Sequence, residues 1–123
     1  MRFNAQTPTS FVTGLPMPNF AENICMPVYV VNAYDIHNPE LFKNYPPAVR
    51  PLLQKHGARV LAMETNAAPL EGAAKTMNAI IEFPDEAAVH RFYDDPEYQA
   101  IIHLRHDSTA HTTMIILKQF EKK

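Results

Sequence analysis

The chain has 123 residues, 46% of them hydrophobic and 20% charged, the make-up of an ordinary globular protein with one modest core. Its formal charge is -2, and neither Lys nor Arg forms a run, which removes the electrostatic case for nucleic acid, whose phosphates call for a clustered basic surface. Cys25 is the only cysteine, so no internal disulfide ties the chain to an oxidising compartment, and the cytoplasm is the default expectation.

Residues 1–25 read as an irregular arm, because polar residues and prolines (Thr7-Pro8-Thr9-Ser10, Pro16-Met17-Pro18-Asn19) break every apolar run. Such a segment suits neither a signal peptide nor a membrane anchor, although Phe3, Phe11, Leu15 and Phe20 are available to pack on a neighbour. The regular pattern starts at Met26, which could serve as an alternative translation start, and the expected domain spans residues 26–120 with a solvated tail at 121–123.

From Pro27 to Ile36 the β-branched and aromatic run Val28-Tyr29-Val30-Val31-Asn32-Ala33-Tyr34 reads as a first strand. Asn38 then caps a helix with Pro39 at its first position, and Leu41, Phe42, Tyr45, Ala48, Val49, Leu52 and Leu53 recur on one helical face until Gly57. Pro46, Pro47 and Pro51 each remove an amide donor, so a kink or a broken first half is expected. Residues 58–65 read as a second strand and 76–83 as a third, joined by a polar hairpin loop. Pro84-Asp85 opens a helix over 86–93, and Asp95-Pro96-Glu97 caps a further helical stretch to about Ala110. A last strand occupies Thr112 to Gln119.

The order β-α-β-β-α-β predicts an α+β fold of ferredoxin-like type: a four-stranded antiparallel sheet with both helices on one face. A sheet solvated on its bare face should alternate apolar and polar residues. Here Ile80 alternates with Ala79 and Ile81, and Ile115 and Leu117 alternate with Met114 and Ile116, so both faces are apolar. The second face requires cover, and a second copy of the chain related by twofold symmetry supplies it most simply. A homodimer through the sheet faces is therefore expected.

Several residues resemble the domain of unknown function 1330 family, within the dimeric α/β-barrel superfamily. They are Pro27-Val28-Tyr29-Val30-Val31, Tyr45, His56-Gly57-Ala58-Arg59-Val60-Leu61, Leu70-Glu71-Gly72, Phe83 with Ala87-Ala88 and Tyr93, Pro96-Glu97-Tyr98-Gln99, and Arg105. The resemblance covers residues 27 to about 119. It implies a dimer with facing sheets and, in each subunit, a pocket between sheet and helices. It implies no single reaction, because the superfamily spans cofactor-free monooxygenases, haem-degrading enzymes, polyketide cyclases and isomerases. Met63-Glu64 departs from the glycine-rich end usual for the second strand, and Lys75-Thr76-Met77 stands where an arginine commonly enters the third.

Arg105 continues the helical stripe of Tyr98, Ile101 and Ile102 toward the apolar side, where a cation needs an anion. One reading is a clamp for a carboxylate or enolate; the other is a structural ion pair or a snorkelling side chain, with Glu71 as a plausible partner either way. Tyr45 and Tyr98 point their hydroxyls at the helix-sheet interface, either as hydrogen-bonded core residues or to orient a substrate and deliver a proton, with Tyr93 as a third phenol. Asn32, Asn78 and Glu82 form either the polar floor of the pocket or hydrogen bonds of the dimer interface. His56, at the end of the first helix, either complements the helix dipole or acts as a general base at the pocket mouth.

His103, His106 and His111 invite a metal or haem reading, set against a solvated surface to which His90 also belongs. Ser108 neighbours His106 and Asp107 only in sequence, and three glycines do not make a phosphate loop. Two main functional expectations remain. One is a cofactor-independent enzyme acting by proton transfer on a small carbonyl, aromatic or enolisable acid; the other is a non-catalytic dimeric binding or accessory protein.

Overall fold

A computed structural model describes residues 26–121; the expected N-terminal arm, Cys25 and the last two lysines lie outside them. Strands β1 (Val28–Ile36), β2 (Arg59–Glu64), β3 (Met77–Phe83) and β4 (Thr109–Lys118) form one antiparallel sheet in the order β2-β3-β1-β4. The helices are α1 (Pro39–Phe42), α2 (Tyr45–Lys55), α3 (Glu86–Asp94), α4 (Pro96–Ile101) and α5 (His103–His106). This is the ferredoxin-like α+β arrangement.

The side-chain period of two sorts the sheet into two faces. Val28, Val30, Asn32 and Tyr34 of β1 point to the helices, and register places them beside Phe83, Ile81 and Ala79 of β3 and Ile116 and Met114 of β4. These residues meet Phe42, Tyr45, Val49, Leu52 and Leu53 from the first helical layer and Ala88, Val89, Phe92, Tyr98 and Ile102 from the second. The other face carries Val31, Ile80, Ile115 and Leu117. Ile115 and Leu117 are 51% and 49% exposed.

Two bulges alter that alternation. In β2 the register passes from Val60↔Ile81 to Ala62↔Ile80, so Leu61 is extra, and Val60 and Met63 both face the helical side. In β4 the register shifts opposite Tyr34, where His111 takes a positive φ of 58°; two residues there oppose one, the geometry of a bulge.

The helices begin where side chains satisfy free amides. Asn38 Oδ1 accepts from the Leu41 amide at 3.2 Å and Asp85 Oδ1 from Ala88 at 2.8 Å, each such cap contributing about 1 kcal/mol. Asp95 Oδ1 accepts from Glu97 at 2.9 Å ahead of Pro96. The expected break in the first helix falls at Lys43-Asn44. Pro46 and Pro47 do not interrupt it but open α2, where the first-turn amides have no helical partner. Only Pro51 sits inside it.

The later helical stretch ends at His106, short of the expected Ala110, and β4 begins three residues before Thr112. Ser108 and Thr109 close the helix. Their hydroxyls donate to the carbonyls of Leu104 and Arg105, at 2.5 Å and 2.6 Å, an alternative to further helix that such side chains offer. The Ser108 carbonyl accepts from the amides of His37 and Asn38, tying this corner to the end of β1.

At the end of α2, Gly57 donates to the Gln54 carbonyl at 3.1 Å and Ala58 to that of Leu53 at 2.9 Å, the paired bonds of a Schellman ending. Gly57 has φ +76°, and a Cβ there would lie 3.0 Å from Pro84 Cγ. Gly57→Ala is therefore expected to lower stability by about 1–2 kcal/mol, measured as a lower urea midpoint with an unchanged slope.

Candidate functional site

Between the sheet and α2–α4 lies a cavity of about 530 Å³, within the ordinary range of small-molecule pockets. Its floor is the helical face of the sheet, including Val30, Asn32, Met77, Ala79 and Met114. Tyr34, Tyr45 and Tyr98 bring hydroxyls to an otherwise apolar wall, and Tyr93, Arg50 and His90 stand at more exposed positions of the lining.

Tyr45, at the start of α2, and Tyr98, in α4, approach through their hydroxyls to 2.7 Å. In such a pair one hydroxyl donates to the other, so one proton stays available to a further acceptor. Burial pushes the Tyr45 phenol above its ordinary range, Tyr98 adding to the effect, and raises Tyr34 to about 12. Both phenols are consequently protonated donors near neutral pH.

Arg105 is 2% exposed. Its guanidinium carbon lies 5.9 Å from the Tyr34 ring centroid, and its charge draws the Tyr34 and Tyr45 phenols down against the larger effect of burial. Burial on its own lowers the Arg105 pKa, but Tyr98 and Tyr45 outweigh it and the net direction is upward. Among the described residues no carboxylate forms an ion pair with it, and its Nε has no hydrogen-bond partner. It is not part of the cavity wall, whereas Tyr34, whose ring it approaches, is, together with Tyr45 and Tyr98. Asn32 is also buried, with its carboxamide oxygen unpartnered. Buried polar atoms are normally satisfied; the Asn32 orphan lies in the cavity floor, and the Arg105 orphan lies outside the lining.

The remaining candidates separate from this cluster. Asn32 pairs in register with Ala79, whereas Asn78 pairs with Ala33, so Asn78 and Glu82 lie on the opposite face from Asn32. Asn78 donates to the carbonyls of Glu64 and Lys75, and Glu82 accepts from Arg59 Nε at 2.7 Å. Glu71 sits exposed in the hairpin loop and makes no ion pair with Arg105. His103 and His106 are exposed on α5, while His111 Nδ1 lies 3.1 Å from Asp35; no metal-holding group of three His, Cys, Asp or Glu occurs among the described residues.

His56 does not line the cavity. Its Nε2 is 2.8 Å from Asp95 Oδ2, which also accepts from Lys55 Nζ at 2.8 Å. Asp95 thereby clasps the end of α2 to the start of α4, while the Tyr45–Tyr98 contact joins the same helices one layer away. Counting strand parity would have found Tyr34, which continues Val28, Val30 and Asn32. A stripe defined by apolar members alone leaves out Arg50, although Pro46, Val49, Arg50 and Leu53 share the i, i+3, i+4, i+7 spacing that faces the cavity.

The family model for the domain of unknown function 1330 (DUF1330) matches residues 27–120. The chain belongs to the DUF1330 family. No curated protein matches it. Among solved structures, this DUF1330 chain is similar to RPA0582, a protein of unknown function from Rhodopseudomonas palustris: TM-score 0.70, 19% identity, covering 85% of this chain and 91% of that one. A dimeric ferredoxin-like protein of unknown function from Thermobifida fusca matches with TM-score 0.60 and 11% identity over 77% and 92% of the two chains. SnoaB, a cofactor-independent oxygenase from Streptomyces nogalater, matches with TM-score 0.60 and 11% identity over 80% and 97%. At these identities the likeness establishes the fold. No helix among the described residues is long and apolar enough to cross a membrane.

The Asp95 clasp has a pH signature. Lys55, then His56, then the Glu97 amide hold its carboxyl well below the ordinary carboxylate range. A depressed folded pKa contributes stability that is complete above the unfolded value of about 3.9 and is lost as pH falls toward the folded one. Urea midpoints are expected to fall on acidification below about pH 4, and Asp95→Asn to flatten that fall; Asp35, also lowered, chiefly by the Thr76 amide, leaves a residual slope.

Proposed function

We propose that the chain is a homodimer whose cavity binds a small organic molecule and, without a cofactor, moves a proton on a carbonyl or enolisable compound. The observation that carries this reading is the 2.7 Å Tyr45–Tyr98 contact beside a buried, acid-free Arg105 at one end of an apolar cavity. Tyr98 has no exposed surface and Tyr45 a little, so Tyr45 hydrogen-bonds the substrate oxygen and Tyr98 backs it, while the proton leaving the carbon next to the carbonyl passes to solvent water at the open mouth and returns from there. Developing negative charge on that oxygen is stabilised by donors already in place. Arg105 acts through the phenols as a positioning residue, keeping positive potential behind them where water does not screen it. SnoaB is described as cofactor-independent, which lends support at the level of chemistry class.

A non-catalytic ligand-binding or accessory role is the second reading. The mutual hydrogen bond of Tyr45 and Tyr98 favours it, since two phenols that satisfy each other also make a quiet pocket wall.

Incubating the protein in D2O with a panel of small enolisable ketones and keto acids, followed by proton NMR, separates the two. The enzyme reading expects faster exchange at the carbon next to the carbonyl of at least one compound. Tyr45→Phe should cut that exchange about 10²–10³-fold, and Arg105→Gln should reduce it while Arg105→Lys restores part. Compounds that bind with no exchange favour the accessory role, and exchange indifferent to both substitutions removes the phenol cluster from consideration.

The dimer reading is supported by the outer face, where Ile80, Ile115 and Leu117 are exposed together, and by the dimeric description of the Thermobifida fusca protein. Sedimentation at micromolar concentration is expected to give a dimer, and Ile115→Glu with Leu117→Lys a folded monomer. A monomeric wild-type profile would overturn it.

A further inference from the structure

We infer that the ligand of this cavity is an amphipathic anion, whose apolar body fills the space between sheet and helices and whose carboxylate is met at the mouth by Arg50. The inference rests on the reading of the cavity as a ligand site and adds a charge requirement at its exposed rim, where Arg50 stands, in contrast to the buried Tyr45–Tyr98 pair.

Three observations support it. Among the described residues no Asp or Glu lines the cavity; besides the phenols, its ionisable side chains are Arg50 and His90. The whole chain is by contrast net negative, at -2, so the bias belongs to the site. Second, Arg50 stands on the cavity-facing stripe of α2 with Pro46, Val49 and Leu53 and is itself exposed. Among the described residues it forms no ion pair, whereas His90 is 3.3 Å from Glu86. Its guanidinium therefore has its donors free for a carboxylate, which matches their fork geometry. Third, the hydroxyls of the buried Tyr45–Tyr98 pair lie 2.7 Å apart and line the same cavity, and an anion held at the mouth leaves their free donor to another oxygen of the same molecule.

The ligand is thus a small organic acid whose carboxylate is separated from a carbonyl or hydroxyl oxygen by an apolar spacer. Low-dielectric walls strengthen the field of Arg50 over the opening and favour capture of anions.

Two fluorescent probes with one aromatic skeleton test this: 1-anilinonaphthalene-8-sulfonate, which is anionic, and N-phenyl-1-naphthylamine, which lacks the sulfonate. Wild-type protein is expected to bind the anionic probe more tightly, with an affinity that falls as salt is added. Arg50→Glu should weaken the anionic probe at least tenfold and change the neutral probe less than twofold, with Arg50→Ala between. Equal affinity for both probes, or a preference that survives Arg50→Ala and Arg50→Glu, would overturn the inference and leave the cavity reading standing. Filling the cavity with Ala79→Phe, or with Met114→Phe if the first does not fold, should abolish binding of both. If neither probe binds wild type, or filling the cavity changes nothing, the cavity reading itself fails and takes the inference with it.

Discussion

Alternate side chains of a strand leave on opposite sides of the sheet, and β1 is hydrogen-bonded on both edges, so its parity is imposed on β3 and β4 together. Val28, Val30, Asn32 and Tyr34 take the helical side, and everything described in the cavity follows from that assignment. A slip of one residue would exchange Asn32 for Val31 and Tyr34 for Ala33, moving the polar end of the cavity to the outer face. Burial of Val28, Val30 and Phe83 against the helices opposes such a slip, each side chain contributing about 1.5–3 kcal/mol.

On the helical side, two contacts of different character hold α2 to α4. The Asp95 contact is ionic and depends on pH; the Tyr45–Tyr98 contact is a 2.7 Å hydrogen bond between two hydroxyls. The aromatic rings continue this join, with Phe92 against Tyr98 at 4.4 Å and Phe83 against Phe92 at 5.6 Å. The phenols are thus positioned by packed short helices rather than by a mobile loop, the condition under which hydrogen-bond donors are useful to a developing charge.

Strand and helix order could be read from the chain because β-branched runs, Asn38-Pro39, Asp85 and Asp95-Pro96 each carry a local physical signal. The ends that differ turn on side chains that no apolar pattern registers: the Ser108 and Thr109 hydroxyls bond back to carbonyls four residues earlier and stop α5, and a left-handed His111 sits inside β4 where its register with β1 shifts. For the cavity, helical periodicity brought Tyr45, Tyr98 and Arg105 to one region. It could not sort Asn32 from Asn78 and Glu82, because that requires the register between strands and not the pattern within one. His56 fell on the expected face of α2 but is held by a carboxylate 39 residues away, a contact no local pattern encodes.

The extra residue in β2 decides the sign of the cavity. With an unbroken register after Val60, Ala62 and Glu64 would face the helices, and a carboxylate would sit on the sheet opposite the side from which Arg50 approaches. Leu61 advances the strand by one, so Met63 takes the inward position and Glu64 turns outward beside Asn78. A single unpaired backbone unit on an edge strand thereby works as a charge filter, exchanging an anion for a polarisable thioether without altering any helix.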